Sequence, residues 1–239
     1  MRTLPRLLAI LSGLLLAGSL SARDLAVSPL RLDLPANKAM TVLTVTNQGS
    51  ETLLLQAGVK RWSQEGGDNS YSTDNTMIAT PALFRLPPGQ RQLVRVGWRR
   101  QAQPGMDESA WRVFVEEVPE AGNSGSDNGL RVALRLGIPL FVPGRQPGTA
   151  SLDWQWLPAG PDHPARLRVS NNGHAHARIT SIRGEQAGAP TTTLNTLLYV
   201  LPGAEQRVQL PAAFPPGISR LTVTDAEGSR SYPLSAPAP

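Results

Sequence analysis

The chain has 239 residues, 40% hydrophobic and 17% charged, with 22 glycines, 22 prolines and no cysteine; this is the make-up of a turn-rich globular protein, and it excludes disulfides. The net charge of +5 is carried almost wholly by arginine, Lys38 and Lys60 being the only lysines. No basic run with interleaved aromatics occurs, which argues against nucleic acid as a partner, and the length suits two domains that each bury a core of their own.

The amino terminus reads as a secretory signal peptide over residues 1–22: Arg2 and Arg6 give a positive start, Leu7 to Leu16 an apolar stretch and Ser19 to Ala22 a small-residue end. Cleavage is expected after Ser21 or Ala22. No other run approaches the ~20 apolar residues a membrane helix needs, so no membrane insertion is expected. Short alternating or β-branched runs then follow at 25–34, 39–47, 53–62, 83–86, 90–98, 109–118 and 130–142, parted by Pro, Gly and Asn, with no convincing amphipathic helix. Seven such runs in about 120 residues predict an antiparallel sandwich of immunoglobulin-like type over residues 23–142. Residues 143–149, with Pro143, Gly144, Pro147 and Gly148, cannot continue a ladder and read as a linker. Further short runs at 150–157, 165–170, 177–183, 197–201, 206–210, 219–225 and 229–234 predict a second, smaller β-sandwich over 150–239. The expected fold class is therefore all-β, two immunoglobulin-like β-sandwich domains in tandem with a cleft between them.

The last run of the first domain is the most informative. Leu130, Val132, Leu134, Leu136, Ile138 and Leu140 alternate with Arg131, Ala133, Arg135, Gly137 and Pro139, so one face of a strand here is an unbroken aliphatic row. The row either fills the domain's own core or docks another protein's sheet. Its length and Pro139, which suits an edge strand, favour the second use; exposed aliphatics on an edge are otherwise an aggregation hazard.

That row, with the segments 27–33 (VSPLRLD), 79–96 (ATPALFRLPPGQRQLVRV) and 108–119 (ESAWRVFVEEVP), resembles the PapD-like chaperones of the chaperone-usher pathway. The resemblance implies a periplasmic, non-enzymatic protein without cofactor or metal, which binds pilin subunits by donor-strand complementation and delivers them to an outer-membrane usher. By position, the lent side chains would be Leu130, Val132 and Leu134, with Leu136 and Ile138 as extensions. The family anchors the subunit's terminal carboxylate with an arginine and a lysine in the interdomain cleft. Arg31 matches the first, whereas Pro139 stands at the second, leaving Arg95 and Arg135 as possible helpers. The acid of the family's interdomain ion pair matches Glu108, while Pro143 stands where its arginine is expected and Arg145 is a possible substitute. The ending 137–142 (GIPLFV) and the block 84–90 (FRLPPGQ) are more similar to the archaic, spore-coat-U-related branch. Self-association of the free protein through its sticky edge is a further possibility.

Weaker signals point elsewhere. His174 and His176 would share a strand face and could ligate a metal, but the preceding Asn171-Asn172-Gly173 marks an exposed turn and no acidic cluster completes a shell. No nucleophile elbow, zinc-protease helix or phosphate loop occurs. Two rival readings are a secreted adhesive or pilin-like β-sandwich, which should carry its alternating segment outside its fold, and a carbohydrate-binding domain using Trp154 and Trp156 as an aromatic platform.

Overall fold

A computed structural model describes residues 25–100, 104–119, 133–146, 148–161, 164–186, 191–211, 214 and 218–234. Among the described residues, ten strands form the first domain: β1 (Leu25–Ser28), β2 (Leu32–Asp33), β3 (Met40–Asn47), β4 (Leu53–Glu65), β5 (Asp68–Thr73), β6 (Met77–Thr80), β7 (Leu83–Leu86), β8 (Arg91–Trp98), β9 (Ser109–Glu117) and β10 (Arg135–Val142). They build a four-stranded sheet in the order β1-β3-β8-β6 and a six-stranded sheet in the order β2-β10-β9-β4-β5, with β7 also paired to β4. Seven strands among the described residues form the second domain: β11 (Leu152–Leu157), β12 (Arg166–Asn171), β13 (Ala177–Glu185), β14 (Thr192–Val200), β15 (Glu205–Gln209), β16 (Arg220–Asp225) and β17 (Gly228–Pro233). Their sheets run β11-β12-β15 and β14-β13-β16-β17.

Period-two patterning explains why these segments pair face to face. In β3 and β8, Leu43, Val45, Val94 and Val96 have no exposed surface, while Val42, Leu93 and Arg95 point outward. The inward rows of both sheets meet in one core that includes Leu55, Trp111, Val113, Ile138 and Leu140, and a second core gathers Leu167, Ile179, Ile182, Leu221 and Val223. Trp154 and Trp156 are 5% and 9% exposed within that second core, which removes the aromatic platform expected of a carbohydrate-binding domain. Two strands escaped the sequence reading. β5 is polar and exposed along its whole length, and β6 is too short for its alternation to stand out. The predicted run at 25–34 divides into β1 and β2, which belong to different sheets.

The two domains are locked by the same device. Asn47, fully buried, donates from Nδ2 to the carbonyls of Glu51 (2.7 Å) and Leu86 (2.8 Å) and accepts the Gly49 N–H (3.0 Å). Asn171, 1% exposed, donates to the carbonyls of Ala175 (2.8 Å) and Val200 (2.9 Å) and accepts the Gly173 N–H (3.0 Å). In each case a glycine at positive φ, Gly89 (70°) or Gly203 (71°), donates its N–H to the asparagine's own carbonyl at 2.9 Å. A buried amide with its hydrogen-bonding groups satisfied fixes where three segments meet, which an apolar residue cannot do.

The domains meet on the outer face of the six-stranded sheet. Trp62, Ala110 and Phe141 pack there against Leu201 and Ala204, with Tyr199 partly buried beside them. Gln64 bridges the joint, donating to the Tyr199 carbonyl and accepting the Leu201 N–H, both at 2.9 Å.

Candidate functional site

Strand β10 is flanked by β9 along its whole length, Arg135↔Glu116 to Val142↔Ser109. On its other side β2 covers only Leu140 and Phe141, in parallel. The Glu117 N–H donates to the Leu134 carbonyl at 2.8 Å, and the Leu34 N–H donates to the Phe141 carbonyl at 2.9 Å. Alternation along an antiparallel ladder then fixes the rest: even residues from 134 to 142 turn their backbone groups to β9, odd residues turn theirs to the other edge. At Arg135, Gly137 and Pro139 that edge has no neighbouring strand among the described residues. Pro139, which has no N–H to donate, faces the open side, the position at which a proline costs a sheet least.

The aliphatic row changes character along this strand. Leu140 and Val142 are 0% and 2% exposed in the domain's own core, Leu136 is half-buried against that core, and Leu134 is half-buried beyond it. Ile138, expected among the lent side chains, is 3% exposed inside the core, so its methyls pack within the first domain itself and it is corrected to a core residue. Leu130 and Val132 lie outside the described residues.

On the opposite face of β10 lies the interdomain cleft. The register carries one row across four strands: Lys60 pairs with Arg112, Arg112 pairs with Pro139, and Arg31 stands one residue before Leu32, the partner of Leu140. Side chains in such a row share a face. Arg31 donates from Nε and Nη2 to Asp33 at 2.9–3.1 Å, lies over Phe141 (5.5 Å to the centroid) and reaches His176 Nε2 at 3.5 Å. It also lines a pocket of about 290 Å³ with Glu108, His176, Arg178, Asp225 and Glu227. The helper arginines fare differently. Arg95 sits on the outward face of the other sheet, opposite Val42 and Thr80, with a whole sandwich between it and the cleft, so it is excluded as a helper. Arg135 shares the cleft face but is bound to Glu116 at 2.9 Å and stacked over Phe114 at 4.2 Å.

Arg112 is the cation the sequence reading missed. Its guanidinium lies over Trp62 (4.1 Å to the centroid), Nη1 donates to the Gly137 carbonyl at 3.1 Å, and Nε is buried without a partner. An arginine among the apolar residues of β9 is visible in the sequence, but its place beside Pro139 follows only from strand register.

The histidines also depart from expectation. His174 and His176 are not an idle exposed turn: His176 stacks on Phe141 (3.6 Å between centroids), and its Nδ1 lies 2.6 Å from Glu108 Oε1, with side chains only 7% and 11% exposed. His174 meets Asp107 at 2.7 Å and offers its carbonyl to the Glu108 N–H at 3.0 Å. Glu108 is thus the acid of an interdomain pair, as the resemblance implied, but its partner is His176; Arg145 instead contacts the Met106 sulfur at 3.6 Å. Among the described residues no group of three potential ligands could hold a metal ion.

Residues 24–146 match the family described as Pili and flagellar-assembly chaperone, PapD N-terminal domain, and the chain belongs to it. Chaperone protein FaeE of Escherichia coli is 26% identical over 197 residues, covering 78% of this chain and 70% of that one. Probable fimbrial chaperone LpfB of Escherichia coli O157:H7 is 29% identical over 138 residues, covering 57% and 56%. Among solved structures, a chain of the CsuC-CsuE chaperone-tip adhesion subunit pre-assembly complex from archaic chaperone-usher Csu pili of Acinetobacter baumannii superposes with a TM-score of 0.68 at 20% identity, covering 88% of this chain and 98% of that one. A chain of the Salmonella enterica SafA pilin–SafB chaperone complex gives 0.63 at 19% identity, covering 89% and 97%.

Proposed function

We propose that the protein is a periplasmic chaperone that binds pilin subunits by lending them the leading half of β10 and hands them to an outer-membrane usher. The observation that carries this reading is the open edge of β10 at Arg135, Gly137 and Pro139, on the same stretch of strand where Leu134 and Leu136 leave the domain's core. A subunit strand added there would gain ladder hydrogen bonds at about 1 kcal/mol net each and bury two aliphatic side chains at about 1.5–3 kcal/mol each. Because those terms come from backbone and aliphatic contact, the chaperone would accept related subunits of differing sequence. The amino-terminal signal supports export, and the pilin and usher partners are those for which the architecture is suited.

The test is co-expression with a small secreted pilin encoded beside the gene, followed by periplasmic fractionation. With the unaltered chaperone a soluble complex accumulates in the periplasm. With Leu134→Asp, which puts a charge on the lent row outside the chaperone's own core, the chaperone remains and the pilin is lost to proteolysis. Unchanged pilin levels with that variant reject the lent-strand reading.

A further inference from the structure

The four-stranded sheet of the first domain turns one face to the core and the other to solvent, on the side of the sandwich away from the cleft. Strand register lays out that outer face in lines across β6, β8 and β3. One line is Ile78, Gly97 and Met40; the next is Thr80, Arg95 and Val42; beyond them stand Leu93, opposite Thr44, and Arg91, opposite Thr46. The aliphatic members are well exposed: Met40 51%, Val42 41%, Leu93 47% and Ile78 38%. Solvated strand faces are normally polar, so four such side chains on one face need a reason.

Charge supplies the second observation. Arg91 and Arg95 project from this face, and neither is held by an acid among the described residues. No aspartate or glutamate, and no aromatic residue, occupies any outward position of these strands. From residue 75 to residue 106 the chain carries five arginines (85, 91, 95, 99 and 100) and no acid at all. The face therefore complements an anionic partner.

Its shape narrows the choice. At the centre, Gly97 lies so close beneath β3 that a Cβ there would stand 2.3 Å from the Ala39 carbonyl oxygen and 2.8 Å from Met40, so no side chain rises between Met40 and Ile78. Protein interfaces take their anchors from Tyr, Trp and Arg seated in pockets. Here guanidinium groups, threonine hydroxyls and short aliphatics are spread side by side. That mixture suits a flat partner that offers phosphate oxygens above and hydrocarbon just below, and that carries no sequence of its own to be read.

We infer that this outer face is a peripheral docking surface for an anionic phospholipid bilayer, with Arg91 and Arg95 on the headgroup phosphates and Val42, Leu93, Met40 and Ile78 entering the headgroup–acyl boundary. A chain lying this way keeps its cleft directed away from the bilayer. The inference does not depend on the lending of β10, which involves the other sheet.

The test is flotation of the full mature chain with vesicles of phosphatidylcholine alone or of phosphatidylcholine and phosphatidylglycerol in equal parts, at low salt. The unaltered chain should float with the anionic vesicles and stay behind with the neutral ones. Arg91→Gln with Arg95→Gln should weaken the partition about twenty-fivefold, fivefold for each charge. Val42→Thr with Leu93→Thr, which keeps residues that suit a strand, should weaken it about fivefold with the charge unchanged. Arg166→Gln with Arg220→Gln, in the second domain, removes as much charge and should leave the partition as it is. Equal loss from that second-domain pair would assign the binding to net charge and overturn the proposal, as would full partition by either face variant or equal binding to both kinds of vesicle. No flotation with the anionic vesicles would overturn it in favour of an acidic protein partner. Capture of a pilin in the co-expression experiment is unaffected by any of these outcomes, so the two readings fail separately.

Discussion

Asp74 shows how one carboxylate ties the cleft sheet to its neighbour. The Trp111 indole N–H donates to it at 2.6 Å and the Thr76 N–H at 2.7 Å, while Arg61 lies over the same indole at 4.3 Å. Burial alone would push its carboxyl up, but the bonds from Thr76 and Trp111 and the Arg61 charge together hold it below the ordinary aspartate value. A depressed carboxyl adds stability above its unfolded value, and that contribution disappears as pH falls through the folded one. Asp74→Asn should therefore lower the melting temperature at neutral pH and flatten its decline on the acid side; an unaltered acid limb would assign that decline to other groups. His176 illustrates the limit of reading single residues. Its turn is visible in Asn171-Asn172-Gly173, and that turn is present, but the ring beyond it is buried against Phe141 of the other domain. Nothing in local spacing encodes a contact between residues 35 positions apart across a joint, so an exposed turn was the natural expectation.

For β10 the period-two pattern revealed the strand and its aliphatic row, and Pro139 pointed to an edge. What the pattern lacked was the place where the row leaves the core, because Leu134 and Ile138 are alike in sequence and differ only in what the opposite sheet puts over them. That difference has a measurable form. Ile138→Ala should destabilise the free chaperone by about 2–5 kcal/mol in urea titrations, the range for emptying a packed core site, whereas Leu134→Ala should cost well under half as much. Equal costs would place both side chains in the same core and leave no free half to lend. The arginines repeat the lesson at the level of register: Arg95 and Arg135 stand as possible helpers because the lysine position holds Pro139, yet pairing between β9 and β10 puts Arg112 beside Pro139, and pairing of β8 with β3 and β6 puts Arg95 on the outward face of the other sheet.

Across the molecule, two sandwiches were readable from turn chemistry and strand spacing, since proline and glycine clusters interrupt ladders wherever they fall. The joint's contents were not, because they depend on the angle between domains. Gly144 abuts the Met106 carbonyl and Gly148 abuts His174, so the connecting segment is pressed against both sides of the hinge. Gln64 adds two bonds across it. Gln64→Ala should loosen this arrangement without unfolding either half, seen as a broader distance distribution in small-angle scattering with near-normal circular dichroism; an unchanged profile would show that the apolar contact alone sets the angle. One consequence of the strand order concerns the chain's own birth. β10 is the last strand of its sandwich to be synthesised, yet it fits between β2, near the start, and β9. Until residue 142 emerges, the nascent first module has a gap where Ile138, Leu140 and Val142 belong, and closing it requires a contact spanning over a hundred residues, a slow step in folding. For that interval the first domain is itself an unfinished sandwich, open along the line that its own last strand will fill.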